Sequence, residues 1–203
     1  MADEVRIRAQ ALERALATPD GRAATALLAA AEVAIVAPPD FPLLQALAPF
    51  LERLLEHGAR PGRLALVLES PDGAPVGAGI VVSVGIRVPG LRVHAHDPAR
   101  ATWFPVCPGD VVIEIDDVLR ESEVVVLAGL AGPGDRASLT RLLVPGLAPP
   151  ALREPGRAAE WTTLAERVAV ALPVEPVIAF DPQDPERAYC GSLGRLADVA
   201  AWS

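Results

Sequence analysis

The 203-residue sequence contains no lysine and no asparagine, so its eighteen basic residues are all arginine. Without a side-chain amine, the chain cannot itself form a lysine Schiff base, hold a phosphate with a P-loop lysine or tether a cofactor through lysine. Aromatic residues are also scarce, with four Phe, three Trp and one Tyr. The core must therefore be built from aliphatic side chains.

The charge balance also excludes some classes of partner. A net charge of −8 and a pI near 4.9 argue against a nucleic-acid surface, because binding to nucleic acid depends on neutralising phosphates. The longest uncharged stretch, residues 73–86, is too short and too rich in glycine for a membrane span. The first residues lack the basic and apolar regions of a signal peptide. We therefore expect a cytoplasmic protein with no nucleic-acid or membrane partner, in which Cys107 and Cys190 are reduced.

Hydrophobic periodicity predicts a single α/β domain over residues 1–203, with a mostly parallel sheet flanked by helices. An amphipathic helix at 4–17 ends at the turn 18–21. A strand at 33–37, a helix at 43–57 and a strand at 64–68 form a βαβ unit, which is parallel. The remaining predicted strands are 79–88, 91–94, 111–115, 123–127 and 177–180, and the remaining predicted helices are 116–121, 137–143, 158–171 and 193–202.

Glycine and histidine patterns give no strong motif. Residues 77–85 fail the dinucleotide fingerprint because no helix follows them. Residues 129–135 have the composition of a phosphate loop without its lysine, although backbone amides at the next helix could attract an anion. His57 suits the last turn of its helix. His94 and His96 share a strand face, but with no third ligand at matching spacing we predict no metal site.

Acidic residues form two groups along the chain. In the first, Asp116 or Asp117 is expected to cap a helix, since the group stands where a strand turns into that helix. The second is typical of an Asp-Pro turn. Nothing in the spacing pairs two carboxylates for acid–base chemistry, so no catalytic residue is predicted. The groups are Glu114, Asp116 and Asp117, and Asp181, Asp184 and Glu186.

The order of segments carries a resemblance that no single motif shows. The segments concerned are residues 15–19, 33–36, 55–59, 63–68, 96–98, 111–119, 122–127, 138–148, 158–171 and 177–202. In this order they resemble the N-terminal domain of the nickel-pincer-dependent lactate racemase family. That resemblance implies a Rossmann-like fold and a second domain that closes over the site. It also implies a nickel pincer nucleotide tethered to a lysine, a histidine nickel ligand and two further histidines that act in catalysis.

The chain departs from this family at the positions that carry its chemistry. Of the family's Asp-x-x-Arg-Pro motif, residues 38–42 keep at most Asp40 and a proline. The segment that contains Asp72 lacks the family's histidine, and so does the loop 132–134. The tether lysine falls at or near Arg141, whose guanidinium stays charged and cannot act as an amine nucleophile. Because of these departures, we expect no cofactor and no metal in this chain.

Three hypotheses follow. The favoured one is a catalytically silent relative of the racemase domain that acts as a binding, scaffold or regulatory protein. A second is an enzyme that uses the same cleft on a small carboxylate or phosphate. A third is a 2-hydroxy acid racemase-like subunit whose partner chain supplies the missing groups. A homo-oligomer is the other association that we consider. The candidate ligand-binding residues, chosen with a small anionic ligand in mind, are Asp40, Asp72, Arg136, Ser138 and Arg141.

Overall fold

The computed structural model describes residues 2–68, 88, 90–95, 101–106, 111–143 and 158–202. Eight strands lie in these ranges: β1 (Val33–Ala37), β2 (Leu64–Leu68), β3 (Arg92–Ala95), β4 (Ala101–Val106), β5 (Val111–Asp116), β6 (Val124–Leu130), β7 (Val174–Phe180) and β8 (Ala188–Gly191). The α-helices described there are α1 (Ala2–Ala17), α2 (Pro19–Ala29), α3 (Phe41–Ala46), α4 (Ala48–Glu56), α5 (Asp117–Glu121), α6 (Arg136–Thr140) and α7 (Ala158–Ala171).

The main sheet has six strands in the order β3-β2-β1-β6-β7-β8. All neighbouring pairs are parallel except β7 and β8, which are antiparallel. Strands β4 and β5 form a separate antiparallel pair. The predicted α/β fold with a mostly parallel sheet is confirmed, and so is the parallel βαβ unit of β1 and β2.

Both faces of the sheet are buried. In β1, Val33 and Ile35 pack into a core that α1 to α4 complete, whereas Ala34 and Val36 pack into a second core with α5 to α7. A strand covered on both faces needs an apolar side chain at every position. This explains why β1 and β2 are continuous apolar runs and why their predicted boundaries match the structure.

Helix α2 was not predicted. The turn expected at residues 18–21 does end α1, but the same residues also begin a new helix. Thr18 is its N-cap, with a side-chain oxygen that accepts a hydrogen bond from the Gly21 amide at 3.1 Å, and Pro19 occupies the first turn. Thr-Pro is thus a helix start here, because proline lacks only an amide hydrogen that the first turn does not use.

Two predicted helices are wrong in detail. The helix expected at 43–57 is divided into α3 and α4 at Leu47, two residues before Pro49, which has no amide hydrogen to donate. The closing helix expected at 193–202 is replaced by two 3₁₀ turns, Leu193–Arg195 and Val199–Ala201. Ser192 and Asp198 cap these turns.

Other predicted boundaries can be compared strand by strand. The strands expected at 91–94, 111–115, 123–127 and 177–180 correspond to β3, β5, β6 and β7, while β4 and β8 were not predicted. The strand expected at 79–88 lies outside the described residues except for its last position. Within the described ranges, no helix is long and apolar enough to cross a membrane.

Candidate functional site

The strand order creates a crevice at one edge of the sheet. From β1 the chain passes through α3 and α4 to β2 on one side, whereas β6 pairs with the opposite side of β1. The carboxyl ends of β1 and β6 therefore flank a topological switch point. In open α/β sheets, ligands bind in the crevice outside the strand ends at this point.

A cavity of about 210 Å³ lies there. Its described wall comes from the segment after β1, the end of β6 and the segment that contains α6. Most of this wall is apolar, and its polar side chains are a carboxylate and a hydroxyl. The described lining residues are Pro38, Asp40, Leu43, Gly129, Leu130, Ser138 and Leu142.

Asp40 is placed at the cavity by helix capping. It is the N-cap of α3, and its Oδ1 accepts a hydrogen bond from the Leu43 amide at 3.1 Å. The residue is exposed, and within the described ranges it forms no ion pair and no second side-chain hydrogen bond. The rest of the carboxylate is therefore available to a ligand.

Ser138 contributes its hydroxyl from the first turn of α6. Its amide donates to Oδ1 of Asp135 at 3.1 Å, and its Oγ donates to Oδ2 of the same carboxylate at 2.6 Å. Asp135, the N-cap of α6, was not among the predicted site residues, although an Asp three residues before a Ser at a helix start is a capping pattern. Because the hydroxyl proton points to Asp135, the Ser138 oxygen presents lone pairs to its other neighbours.

A glycine lets the α6 segment approach the end of β6. A Cβ on Gly129 would lie 3.2 Å from both Leu139 Cδ2 and Leu142 Cδ1. A side chain at this position would press these leucines outward. Gly129 thus allows Leu142 to reach the cavity wall.

The two predicted arginines are not part of the described cavity wall. Arg136 is exposed at the start of α6. Arg141 is half-buried: its Nη2 donates to Thr162 Oγ1 on α7 at 2.9 Å, while its buried Nε has no hydrogen-bond partner. The structure thus brings together Asp40 and Ser138 but neither arginine, and Asp72 lies outside the described residues.

The resemblance implies a nickel pincer nucleotide, which would need a lysine amine as its tether and histidines for nickel binding and catalysis. Arg141, at or near the tether position, is turned toward α7 and has no amine to form the link. His57 is exposed at the end of α4, with Nδ1 2.9 Å from the Arg53 carbonyl oxygen. No group of three His, Cys, Asp or Glu within the described part of the chain could hold a metal ion. Among the described residues, none therefore supplies the lysine tether or the set of histidines that the resemblance implies.

At least one residue of each acidic group has a structural role in this fold. Asp116 caps α5 through the Val118 amide, as expected. Asp181 is buried at the end of β7, where its Oδ1 accepts from the Gln183 amide at 2.8 Å. Its carbonyl oxygen accepts from Nη1 of Arg8, a buried arginine of α1, at 2.9 Å. These contacts join helix and strand ends.

Two ionisable groups on β8 are buried. Burial raises the pKa of the Cys190 thiol to about 12, with a smaller contribution from the Asp20 carboxylate. Burial and then Asp20 also raise the pKa of Tyr189 to about 12. The Tyr189 hydroxyl donates to the Ser192 carbonyl at 2.7 Å, and its ring stacks on Trp202. Both groups are thus protonated at neutral pH, and the contacts of Tyr189 hold Ser192 and Trp202 next to β8.

Comparison with known proteins gives a relationship in fold. No protein-family model and no curated protein sequence matches the chain. Among solved structures, the lactate racemase apoprotein from Thermoanaerobacterium thermosaccharolyticum is similar, with a TM-score of 0.64 and 14% sequence identity over 94% of this chain. The chain spans 52% of the length of that racemase. It is thus a distant structural relative of lactate racemase, with which it shares an α/β fold.

Proposed function

We propose that this chain is a catalytically silent relative of lactate racemase that binds a small ligand in the cavity between β1 and β6 and acts as a binding or regulatory protein. The observation that carries the proposal is the cavity itself. It lies at the switch point where such sheets bind ligands, and its described wall offers apolar contact with one carboxylate and one hydroxyl.

The side chains of the described cavity wall also support the proposal of catalytic silence. Inverting a carbon that bears a hydroxyl requires groups that accept and return a proton near neutral pH, and histidine is the side chain best suited to this. None of the described lining residues is a histidine. The Ser138 hydroxyl donates to Asp135, which already caps α6. We therefore assign no catalytic residue and propose that no nickel cofactor is held.

A second candidate function rests on the length comparison. About half of the racemase structure is covered by this chain, so a partner chain could supply the remaining groups. In that case this chain would be one subunit of a 2-hydroxy acid racemase or isomerase. The cavity would then be one wall of a site between two chains.

The proposed function is tested with the full-length chain and both enantiomers of lactate and 2-hydroxybutanoate. Chiral chromatography should detect no racemisation, and metal analysis should detect no stoichiometric nickel. NMR titration with a library of small metabolites should give saturable shifts of the Leu43, Leu130 and Leu142 methyl signals. Turnover by the isolated chain would refute catalytic silence.

A pair of variants locates the binding event. Leu130→Trp places a large ring at the cavity mouth, where Leu130 is 43% exposed, and should abolish the saturable shifts. Val170→Trp is the matched control, since Val170 is 87% exposed on α7 and does not line the described cavity. Co-purification from the native host tests the subunit function: a partner that restores racemisation when added back would favour it.

A further inference from the structure

We propose that the cavity between β1 and β6 selects a primary ammonium group on a short branched aliphatic chain, in preference to a carboxylate or a phosphate. This inference rests on the proposed function, because it names the class of ligand that the same site takes. It differs from the anionic ligand expected from sequence, since the arginines that motivated that expectation do not line the described cavity.

The charge at the described wall favours a cation. Asp40 is the one charged residue among the described lining residues, and no described cation pairs with it. A second carboxylate, Asp135, lies directly behind Ser138. A bound anion would meet both negative charges with no cation among the described lining residues to compensate, whereas an ammonium group would form a charge-assisted hydrogen bond with Asp40. The net charge of −8 acts in the same direction by attracting cations to the protein.

The hydrogen-bonding polarity agrees with the charge. Asp40 uses Oδ1 to cap α3, which leaves Oδ2 as an acceptor. Ser138 directs its proton to Asp135, so its Oγ is also an acceptor toward the cavity. The described wall offers these two acceptors and no matching side-chain donor, which favours a ligand that donates. A primary ammonium group carries three donors and no acceptor.

The size and apolar lining set the rest of the ligand. The cavity volume of about 210 Å³ exceeds the roughly 150 Å³ of an apolar protein cavity that binds benzene, so there is room for a small branched chain. Leu43, Leu130 and Leu142 supply aliphatic surface to the described wall. A ligand with a short branched carbon chain would contact these leucines.

The test uses three probes with one carbon skeleton: isobutylammonium, isobutanol and isobutyrate. Titration of the full chain at pH 7, followed through the methyl signals of the three leucines, should give the tightest binding for isobutylammonium and the weakest for isobutyrate. Asp40→Asn should weaken isobutylammonium binding about tenfold and leave isobutanol unchanged. Asparagine is as good an N-cap as aspartate, so α3 should be retained. Asp198→Asn, a capping residue outside the cavity with the same charge change, should leave all three affinities unchanged.

A further variant separates charge from packing. Leu130→Ala should weaken isobutylammonium and isobutanol by the same factor, because it removes apolar contact alone. Isobutyrate binding equal to or tighter than isobutylammonium, no binding of any probe, or full binding by Asp40→Asn would each overturn the inference. None of these outcomes bears on catalytic silence, which fails only if the isolated chain racemises a 2-hydroxy acid.

Discussion

The contact between α1 and α2 gives the sharpest stability prediction. Gly21, the third residue of α2, is buried against the end of α1. A Cβ at this position would lie 2.3 Å from the Ala15 carbonyl oxygen and 2.7 Å from Leu16 Cα. Ordinary contacts begin at 3.4 Å, so Gly21→Ala requires the two helices to separate by about 1 Å. We expect this substitution to destabilise the fold.

The expected magnitude combines two opposing effects. Alanine is a better helix former than glycine by about 1 kcal/mol, which favours the variant. Overpacking a well-packed core costs typically about 1–3 kcal/mol, and the upper value applies here because the atoms contacted belong to the backbone. The start of α2 is also held in place by the hydrogen bond from the Gly21 amide to Thr18 and by the one from Thr25 to the Gly21 carbonyl. The free energy of unfolding should therefore fall by about 2 kcal/mol.

Urea unfolding followed by far-UV circular dichroism measures this change, provided that the transition is two-state. The matched control is Gly62→Ala in the 3₁₀ turn Pro61–Arg63, where a Cβ would meet nothing within 4 Å. The free energy of unfolding of that variant should lie between the parent value and about 1 kcal/mol above it. A Gly21→Ala variant as stable as the parent would refute the close contact between α1 and α2. The higher helix propensity of alanine would then fully offset any cost of overpacking.

Two further predictions concern buried polar groups. Arg8→Met leaves the Asp181 carbonyl without its buried donor and should lower the free energy of unfolding by about 1–3 kcal/mol. The control is Arg6→Met on the exposed side of α1, which should change this free energy by less than about 0.5 kcal/mol. Equal losses in the two variants would contradict the role of Arg8. Because burial raises the pKa of Cys190 to about 12, the unfolded thiol ionises near pH 9 while the folded thiol stays protonated. The free energy of unfolding should then fall as the pH rises from about 9 to 12, by up to about 1.4 kcal/mol per pH unit. In a Cys107→Ser background, Cys190→Ala should make this decline shallower. An unchanged slope would contradict the burial of the Cys190 thiol.

Elements that depend on local sequence patterns were predictable, whereas elements that depend on long-range pairing were not. Strands β1 and β2 were predictable because a strand buried on both faces is an uninterrupted apolar run between turn residues. An N-cap at Asp116 or Asp117 was also predictable, since capping involves only neighbouring residues, and in the structure it is Asp116. Strand β8 was missed because four residues with no alternation carry little periodic signal, and its identity depends on pairing with β7.

The candidate site shows the same division. Asp40 and Ser138 could be proposed from their places after predicted strands and near a family-like segment, and both line the cavity. Arg141 was chosen on equal grounds, yet its guanidinium contacts α7. The sequence spacing could not distinguish these cases because side-chain direction depends on packing against elements distant in the chain. Asp135 lies outside the predicted set because its capping pattern indicates a helix start and carries no signal for a binding site.

The amino-acid sequence alone was enough to specify the α/β fold, because short-range periodicity distinguishes strands from helices. Its composition established that the core is aliphatic and that no lysine side chain is available for a reaction. The position of the cavity has a different origin. It exists because β6 pairs with β1 on the side opposite β2, which places the ends of two strands about 90 residues apart beside one crevice. Long-range strand pairing of this kind is a property of the whole folded chain, and it is what turns a capping aspartate and a capped serine into neighbours at one site.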